Sequence, residues 1–121
     1  MIFHADMIEA ILAGRKTRTT RLTRERYCFY RVGHDYAICS GRGERQIARV
    51  LVTGIMYCEN YQVASALPDH AKREGFASAD AFCERWEKMY AKDEGRREGP
   101  VWVIDFERVK RAGNGAKNTS E

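Results

Sequence analysis

The chain has 121 residues, of which 44% are hydrophobic and only two are prolines, and its formal net charge is +4. These numbers fit one domain with a single modest core, and they exclude a wholly disordered chain because the apolar content is too high. The sequence holds no apolar run long enough to span a bilayer, and its start, MIFHADMIEA, has acids where a signal peptide needs bases. We therefore predict a soluble, cytoplasmic protein.

The positive charge is concentrated in one segment. Residues 15–31 hold seven bases against one acid, whereas residues 69–98 hold seven bases and eight acids. A local cationic patch favours a phosphate-bearing partner. The ordinary alternative is a solvated surface that only aids solubility.

The first half of the chain contains one helical pattern and several extended ones. Asp6 followed by Glu9 fits a capping box, and Gly14 is a natural helix end. Apolar residues at helical spacing between these signals predict a short helix. In chain order, we predict a strand over 1–3, a helix over 7–13, an extended segment over 17–22, and strands over 36–40 and 46–57, the last bent at Gly54.

The second half is predicted to contain two helices and a closing strand. Pro68 and Asp69 open a short helix that stops at Gly75, and Ser78 caps a longer helix that runs to about residue 90. A charged loop over 91–100 follows. The segment VWVIDFERV alternates strictly, which predicts a strand with three large apolar residues on one face: Trp102, Ile104 and Phe106.

This order of elements leaves few strand–helix–strand units, so a parallel sheet is not expected. We predict an α+β fold, a small and mostly antiparallel β-barrel with helices packed on the outside. The domain is predicted to span residues 1–112, followed by a polar, disordered tail over 113–121.

The four cysteines are widely spaced, with no Cys-x-x-Cys pair: Cys28, Cys39, Cys58 and Cys83. In a cytoplasmic chain they are most simply free thiols. A zinc site that uses Cys28, His34, Cys39 and one more ligand is the alternative, although it lacks the paired-ligand spacing of zinc knuckles. We predict no metal.

Several segments together resemble a known family. The first is Gly14-x-Lys16-x-x-Thr19-x-Arg21, directly after the short helix. The later landmarks follow in order: VG at 32–33, VTGI at 52–55, REGF at 73–76, WEKMY at 86–90 and VWVIDF at 101–106. This ordered set, over about residues 2–110, resembles the ASCH domain of the PUA-like superfamily.

The resemblance implies a cleft between barrel and helices that receives a nucleotide or RNA. One branch of the family consists of small amidohydrolases that remove the acetyl group from N4-acetylcytidine, with a lysine, a threonine and a glutamate as the functional residues. These map onto Lys16, Thr19 and Glu74. No metal and no organic cofactor is implied. Arg21 is the candidate for stabilising an oxyanion or holding a phosphate.

The chemistry imposes a geometric condition. A threonine hydroxyl attacks an amide only with the help of a base, and lysine serves as one only if its pKa falls well below about 10.4. Burial and nearby cations lower it. In an unbroken strand residues 16 and 19 point to opposite faces. Lys16 must therefore lie in the turn after Gly14, or the strand must bulge, for the side chains to converge.

Other functions and ordinary structural roles remain open. Lys16 is also a normal cation at a helix end, Thr19 a normal strand residue, and Glu74 a normal polar residue near a helix end. A non-catalytic RNA-binding module would use Tyr90 to stack on a base and a set of arginines to contact phosphates: Arg15, Arg18, Arg21, Arg24 and Arg26. Ribonuclease activity is a third possibility. Arg15 and Arg18 are predicted to be surface charges, and the protein is assumed to be monomeric.

Overall fold

Four strands and five helices make up the part of the chain that the computed structural model describes, residues 1–23 and 27–109. The predicted tail over 113–121, and Arg24 and Arg26, lie outside these residues. In chain order the elements are α1 (Ala5–Leu12), β1 (Arg18–Leu22), β2 (Asp35–Ile38), β3 (Ala48–Cys58), α2 (Tyr61–Ser65), α3 (His70–Glu74), α4 (Ala79–Met89), α5 (Glu94–Arg97) and β4 (Val101–Arg108).

The strands form one antiparallel sheet in the order β1-β4-β3-β2. The α+β class is confirmed, but the barrel prediction is corrected, because β1 and β2 stand at opposite ends of this order and the sheet is an open half-barrel. The N-terminal segment lies between these two ends. Ile2 forms an isolated parallel bridge with Cys39 just after β2, and Arg21 of β1 donates from Nη2 to the Ile2 carbonyl at 2.9 Å.

The bend predicted in the long strand is confirmed. The β3–β4 register shifts between Val52 and Gly54, which marks a β-bulge. Gly54 pairs with Asp105, and a Cβ on Gly54 would lie 3.5 Å from an Asp105 carboxylate oxygen. The glycine therefore leaves room for the Asp105 side chain on β4, and this carboxylate binds Arg18.

Both predicted helices of the second half are confirmed. Ser78 Oγ accepts a hydrogen bond from Ala81 N at 3.1 Å, which caps α4. Gly75 ends α3 with a φ of 92°. The prediction for α1 was wrong in one respect, since His4 takes the N-cap position without a side-chain bond. Asp6 instead accepts from both terminal nitrogens of Arg85, at 2.9 and 3.2 Å.

Two short helices were not predicted. The Asn60 side chain accepts from Val63 N at 2.9 Å and begins α2, and Asp93 accepts from Arg96 N at 3.0 Å and begins α5. At five and four residues they are too short to show a 3.6-residue apolar period. For this reason α5 was read as part of a charged loop.

The core has two clusters on opposite faces of the sheet. One lies under α2 and α4 and includes Val101 and Val103, and the other lies under α1 and includes Phe106. The central strand β4 is therefore buried on both faces. The predicted alternation is correct, but Trp102 is only half-buried and packs against Tyr57 with ring centroids 5.6 Å apart.

The glycine that ends α3 supports the position of the neighbouring lysine. A Cβ on Gly75 would meet Lys16 Cβ at 3.4 Å, and its left-handed φ strains any other residue. We expect Gly75→Ala to destabilise the protein by about 1–2 kcal/mol in chemical denaturation. Gly95→Ala is the control, since its φ is not positive and a Cβ there approaches only the Asp93 side chain, at 3.6 Å. Equal losses in both variants would contradict this account.

The four cysteines are free, as predicted. Within residues 1–23 and 27–109 no group of three or more His, Cys, Asp or Glu side chains is arranged to hold a metal ion. In the same residues no helix has the length and apolar character needed to cross a membrane.

Candidate functional site

A cavity of about 160 Å³ lies at the open edge of β1, where the N-terminal segment, α3 and α4 meet it. One wall carries polar and charged side chains from β1 and α3. The opposite wall is mainly apolar and comes from the N-terminal segment and α4. The lining residues relevant to chemistry are Lys16, Thr19, Thr20, Arg21, Glu74 and Tyr90.

The turn after α1 brings Lys16 to this cavity. Gly14 has a φ of 81°, and the backbone N–H groups of Arg15 and Lys16 both donate to Ala10 O, at 2.9 and 3.1 Å. The strand begins only at Arg18. Lys16 therefore lies in the turn, which is one of the two arrangements that convergence with Thr19 required. Its Nζ bonds to Glu74, however, and within residues 1–23 and 27–109 no hydrogen bond joins it to the Thr19 hydroxyl.

Lys16 and Glu74 form a buried ion pair. Lys16 Nζ lies 2.8 Å from Glu74 Oε1 and also donates to the Glu74 carbonyl at 3.0 Å. The two residues are 4% and 3% exposed. Burial lowers the pKa of the Lys16 ammonium, and the Glu74 carboxylate opposes this shift without cancelling it.

Two threonines line the cavity from opposite faces of β1. Thr20 Oγ1 donates to Glu74 Oε2, whereas Thr19 Oγ1 accepts from Arg21 Nε at 3.2 Å. The hydroxyl that contacts the carboxylate is thus that of Thr20, which sequence analysis did not select. Its position next to Thr19 was the available signal, because adjacent strand residues point to opposite faces and Glu74 can approach from only one of them.

Arg18 is buried, which corrects its assignment as a surface charge. It is 6% exposed, and it holds Asp105 of β4 through Nε–Oδ1 at 2.6 Å and Nη2–Oδ2 at 3.2 Å. Its Nη1 lies 3.3 Å from Nδ1 of His70. His70 Nε2 in turn lies 3.4 Å from both Glu74 Oε2 and Thr20 Oγ1. A continuous polar network therefore runs from Asp105 through Arg18, His70 and Thr20 to Glu74.

The remaining predicted site residues divide into two groups. Arg21 lines the cavity, and its guanidinium carbon lies 4.6 Å from the centroid of the Phe3 ring. Burial lowers its pKa. Tyr90 also lines the cavity, half-buried beside Trp86 at 4.8 Å between ring centroids. Arg15 is exposed and does not line the cavity.

The folded chain is similar to solved ASCH structures. An ASCH domain from Lactobacillus crispatus matches with a TM-score of 0.67 and 20% identity over 89% of this chain and 77% of that one. A point mutant of an ASCH protein from Zymomonas mobilis matches with a TM-score of 0.58 and 14% identity, over 91% and 70%. This chain has the ASCH-domain fold. No protein-family model and no curated protein matches its sequence.

A third similar structure is a protein from Enterococcus faecalis, with a TM-score of 0.62 and 16% identity over 86% of this chain and 70% of that one. At these identities the similarity establishes the ASCH fold and leaves the residues of the cavity to be argued from their own chemistry.

The apolar wall of the cavity is built from aromatic rings. The Phe82 ring packs edge-on against Phe76 at 5.9 Å and against His70 at 4.6 Å. Trp86 and Tyr90 continue the wall along α4 at helical spacing. These rings offer flat surfaces to a ligand.

The buried His70 predicts a pH dependence of stability. Burial lowers its pKa below the ordinary value of 6.5, so the folded state binds fewer protons than the unfolded state just below that pH. Stability is therefore expected to fall as the pH drops below about 6.5. Thermal denaturation at about pH 7.5 and about pH 5.5 measures this. His70→Gln should reduce the difference between the two melting temperatures, and the exposed His34→Gln should not. An unchanged difference in His70→Gln would contradict the assignment.

Proposed function

We propose that the protein is an amidohydrolase that removes the acyl group from acylated pyrimidine nucleosides such as N4-acetylcytidine. The observation that carries the proposal is the buried Lys16–Glu74 ion pair beside two threonine hydroxyls in one cavity. Buried pairs of this kind are costly unless surrounded by further hydrogen bonds, and clefts that hold them are candidates for chemistry. The protein is proposed to act as a monomer in the cytoplasm, where its free thiols stay reduced.

The cavity favours a small, flat ligand. Its volume of about 160 Å³ is well below the several hundred Å³ typical of sites for drug-sized molecules. Aromatic side chains from α4 form one wall, and such rings stack on nucleobases. A single pyrimidine base with a short acyl group therefore suits the site, while a ribose would lie towards the open side.

Thr19 is assigned the nucleophilic attack. Its oxygen accepts the Arg21 N–H, so its own proton is not committed to that bond, whereas the proton of Thr20 is already donated to Glu74. The neighbouring guanidinium stabilises the developing alkoxide and then the oxyanion of the tetrahedral intermediate. Lys16 is assigned as the base and Glu74 as the proton carrier to the leaving amine.

The proton balance uses the 2.8 Å bond between Lys16 Nζ and Glu74 Oε1. Transfer of one proton along it gives a neutral amine and a carboxylic acid, and burial eases the step because it lowers the pKa of the Lys16 ammonium. The amine takes the Thr19 proton as the C–O bond forms, and Glu74 protonates the nitrogen as the C–N bond breaks. Water then hydrolyses the acyl-threonine, with its proton passing to Glu74 and the Lys16 proton returning to Thr19.

The test is turnover of a panel of acylated nucleosides, read as release of the carboxylic acid and the free base. We expect Lys16→Ala, Thr19→Ala and Glu74→Gln each to lose about 100-fold or more in kcat, as expected for lost acid–base or nucleophilic catalysis. Matched controls are exposed residues of the same types: Lys72→Ala, Thr53→Ala and Glu84→Gln.

Each outcome bears on a different assignment. Unchanged turnover in all three site variants, or no turnover of any amide by the unaltered protein, would refute the hydrolase. Loss in Thr20→Ala with activity retained in Thr19→Ala would contradict the choice of nucleophile. Circular dichroism on every variant separates loss of activity from loss of fold.

A non-catalytic RNA-binding module is the second candidate, and one observation favours it. The segment after β1 exposes two aromatic side chains, Tyr27 at 69% and Phe29 at 76%, next to the exposed cation Arg31. Aromatic rings interleaved with cations are typical of surfaces that bind single-stranded nucleic acid.

Fluorescence titration with a short single-stranded RNA tests the second candidate. Binding should weaken steeply as the salt concentration rises. Phe29→Ala should weaken binding because a ring that stacks on a base is lost, and Arg31→Ala should reduce the salt dependence. Val32→Ala, exposed in the same segment, is the control. Binding that is absent or insensitive to salt would contradict this candidate, and appearance of RNA fragments would instead indicate a ribonuclease.

A further inference from the structure

His70 is the buried polar side chain of the site region that the proposed mechanism does not use. It lies on α3 one turn before Glu74 and is 1% exposed. Its two ring nitrogens face different partners, Nδ1 towards Arg18 Nη1 at 3.3 Å and Nε2 towards Glu74 Oε2 and Thr20 Oγ1 at 3.4 Å. A buried imidazole with a partner at each nitrogen has its protonation dictated by those partners.

Arg18 decides which nitrogen carries the proton. A guanidinium has only donors and does not lose its proton in proteins, so the nitrogen that faces it must accept. The guanidinium is itself fixed by its two bonds to Asp105, at 2.6 and 3.2 Å. His70 Nδ1 is therefore the acceptor, and the proton of the neutral ring lies on Nε2.

We propose that His70 is a positioning residue, held by Arg18 as the neutral Nε2–H tautomer, which donates to Thr20 Oγ1 and so directs the Thr20 hydroxyl proton to the Glu74 carboxylate. A protonated Nε2 cannot accept from Thr20, so the hydroxyl must donate to Glu74 Oε2, as observed. Glu74 is then held at both oxygens, with Lys16 on Oε1 and Thr20 on Oε2, and Thr20 is in turn fixed by His70.

The charges around the ring are consistent with a neutral imidazole. Burial has the largest effect on its pKa and lowers it, Arg18 of β1 and Lys16 lower it further, and Glu74 and Asp105 oppose the shift. From α4 the ring is covered by Phe82, which carries no charge. The 3.4 Å approach of Nε2 to Glu74 Oε2 is therefore a contact between a neutral ring and a carboxylate rather than an ion pair.

The first test is the tautomer, and it does not depend on any activity. A long-range proton–nitrogen correlation spectrum of histidine-labelled protein separates an acceptor-type from an N–H-type ring nitrogen, and His70→Gln assigns the signals. We expect an acceptor-type Nδ1 and a protonated Nε2 at neutral pH. A protonated Nδ1, or a doubly protonated ring, would overturn the proposal.

The role of Arg18 is tested in the same spectrum with Arg18→Met. Because this variant removes the closer partner of Asp105 and leaves only Arg73 Nη2 at 3.5 Å, the double variant Arg18→Met with Asp105→Leu is measured beside it; it removes both members of the buried pair and leaves only the partly exposed Arg73 without its partner. Release of the ring into a mixture of both tautomers is expected in either variant. An unchanged Nε2–H tautomer would show that Arg18 does not hold the ring and would overturn the proposal.

The second test rests on the proposed amidohydrolase activity. In His70→Phe, which keeps the ring volume but donates nothing, we expect kcat to fall about tenfold or more and KM to change less than about twofold. His70→Gln, whose amide N–H still donates, should recover part of kcat. Equal losses in both would indicate a packing role only and overturn the proposal. If the unaltered protein turns over no amide, the proposed function fails, while the spectrum still decides the tautomer.

Discussion

Replacement of Lys16 by methionine is expected to abolish turnover and to destabilise the protein by about 3–5 kcal/mol. The side chain fits a similar volume, but it leaves the Glu74 carboxylate, 3% exposed, without its counter-ion. A buried charge without a partner is relieved by uptake of a proton. The loss in free energy of unfolding should therefore be smaller at about pH 5 than at about pH 8.

The double variant Lys16→Met with Glu74→Leu separates the cost of the charge from the cost of the chemistry. Replacement of a whole buried ion pair by apolar side chains of similar size is often neutral or stabilising. We expect most of the lost stability to return while turnover remains absent. Urea denaturation of the two single variants and the double variant gives the coupling energy. Additive losses would contradict the account of Lys16 and Glu74 as one electrostatic unit.

Replacement of Trp86 by alanine is expected to destabilise the protein by about 3–5 kcal/mol, because its large ring is 3% exposed. The ring stacks on Tyr61 at 6.0 Å, packs against Tyr90 at 4.8 Å and lines the cavity. Its Nε1 also donates to Arg97 O at 3.0 Å, which ties α4 to α5. The same change should raise KM for a nucleoside substrate, since the aromatic wall loses its central ring.

Two further variants separate the contribution of the Trp86 hydrogen bond and its place in the cavity wall from that of its packing. Trp86→Phe keeps an aromatic ring but loses the bond to the Arg97 carbonyl, so its loss of stability should be about 1–2 kcal/mol. Trp102→Ala removes a tryptophan that is only half-buried and lies outside the cavity lining, so KM should not change. If Trp102→Ala destabilised the protein as much as Trp86→Ala, the assignment of Trp86 to the core would be contradicted.

Local signals in the sequence were sufficient for much of the fold. Gly75 and Ser78 mark the end of one helix and the start of the next because their effects are confined to one turn of backbone. The bend at Gly54 and the alternation of the closing strand were readable for the same reason. Asp6 was misread because a carboxylate can cap its own helix or pair with a distant cation, and here Arg85, from α4, competes successfully.

In the site, too, some features follow from local sequence and others only from the fold. The motif resemblance singled out Lys16 and Glu74, but their contact joins positions 58 residues apart, which no local pattern reveals. Arg18 looked like a surface charge among other bases, and only the pairing of β1 with β4 places Asp105 opposite it. Thr20 reaches Glu74 for the same reason, through the packing of α3 on β1, whereas His70 stands one turn before Glu74 on α3 itself.

The sequence by itself determined the α+β class, the positions of most helices and strands, and the segments that carry the lysine, threonines and glutamate, since these depend on local backbone preferences and short motifs. The tertiary structure decided that the sheet stays open, which arginine is buried, and which hydroxyl meets the carboxylate. Those outcomes depend on strand register and on the burial of charges. They are set by contacts between residues distant in the sequence. Burial removes water from these contacts, so a buried charge or polar group is stable only when it is paired.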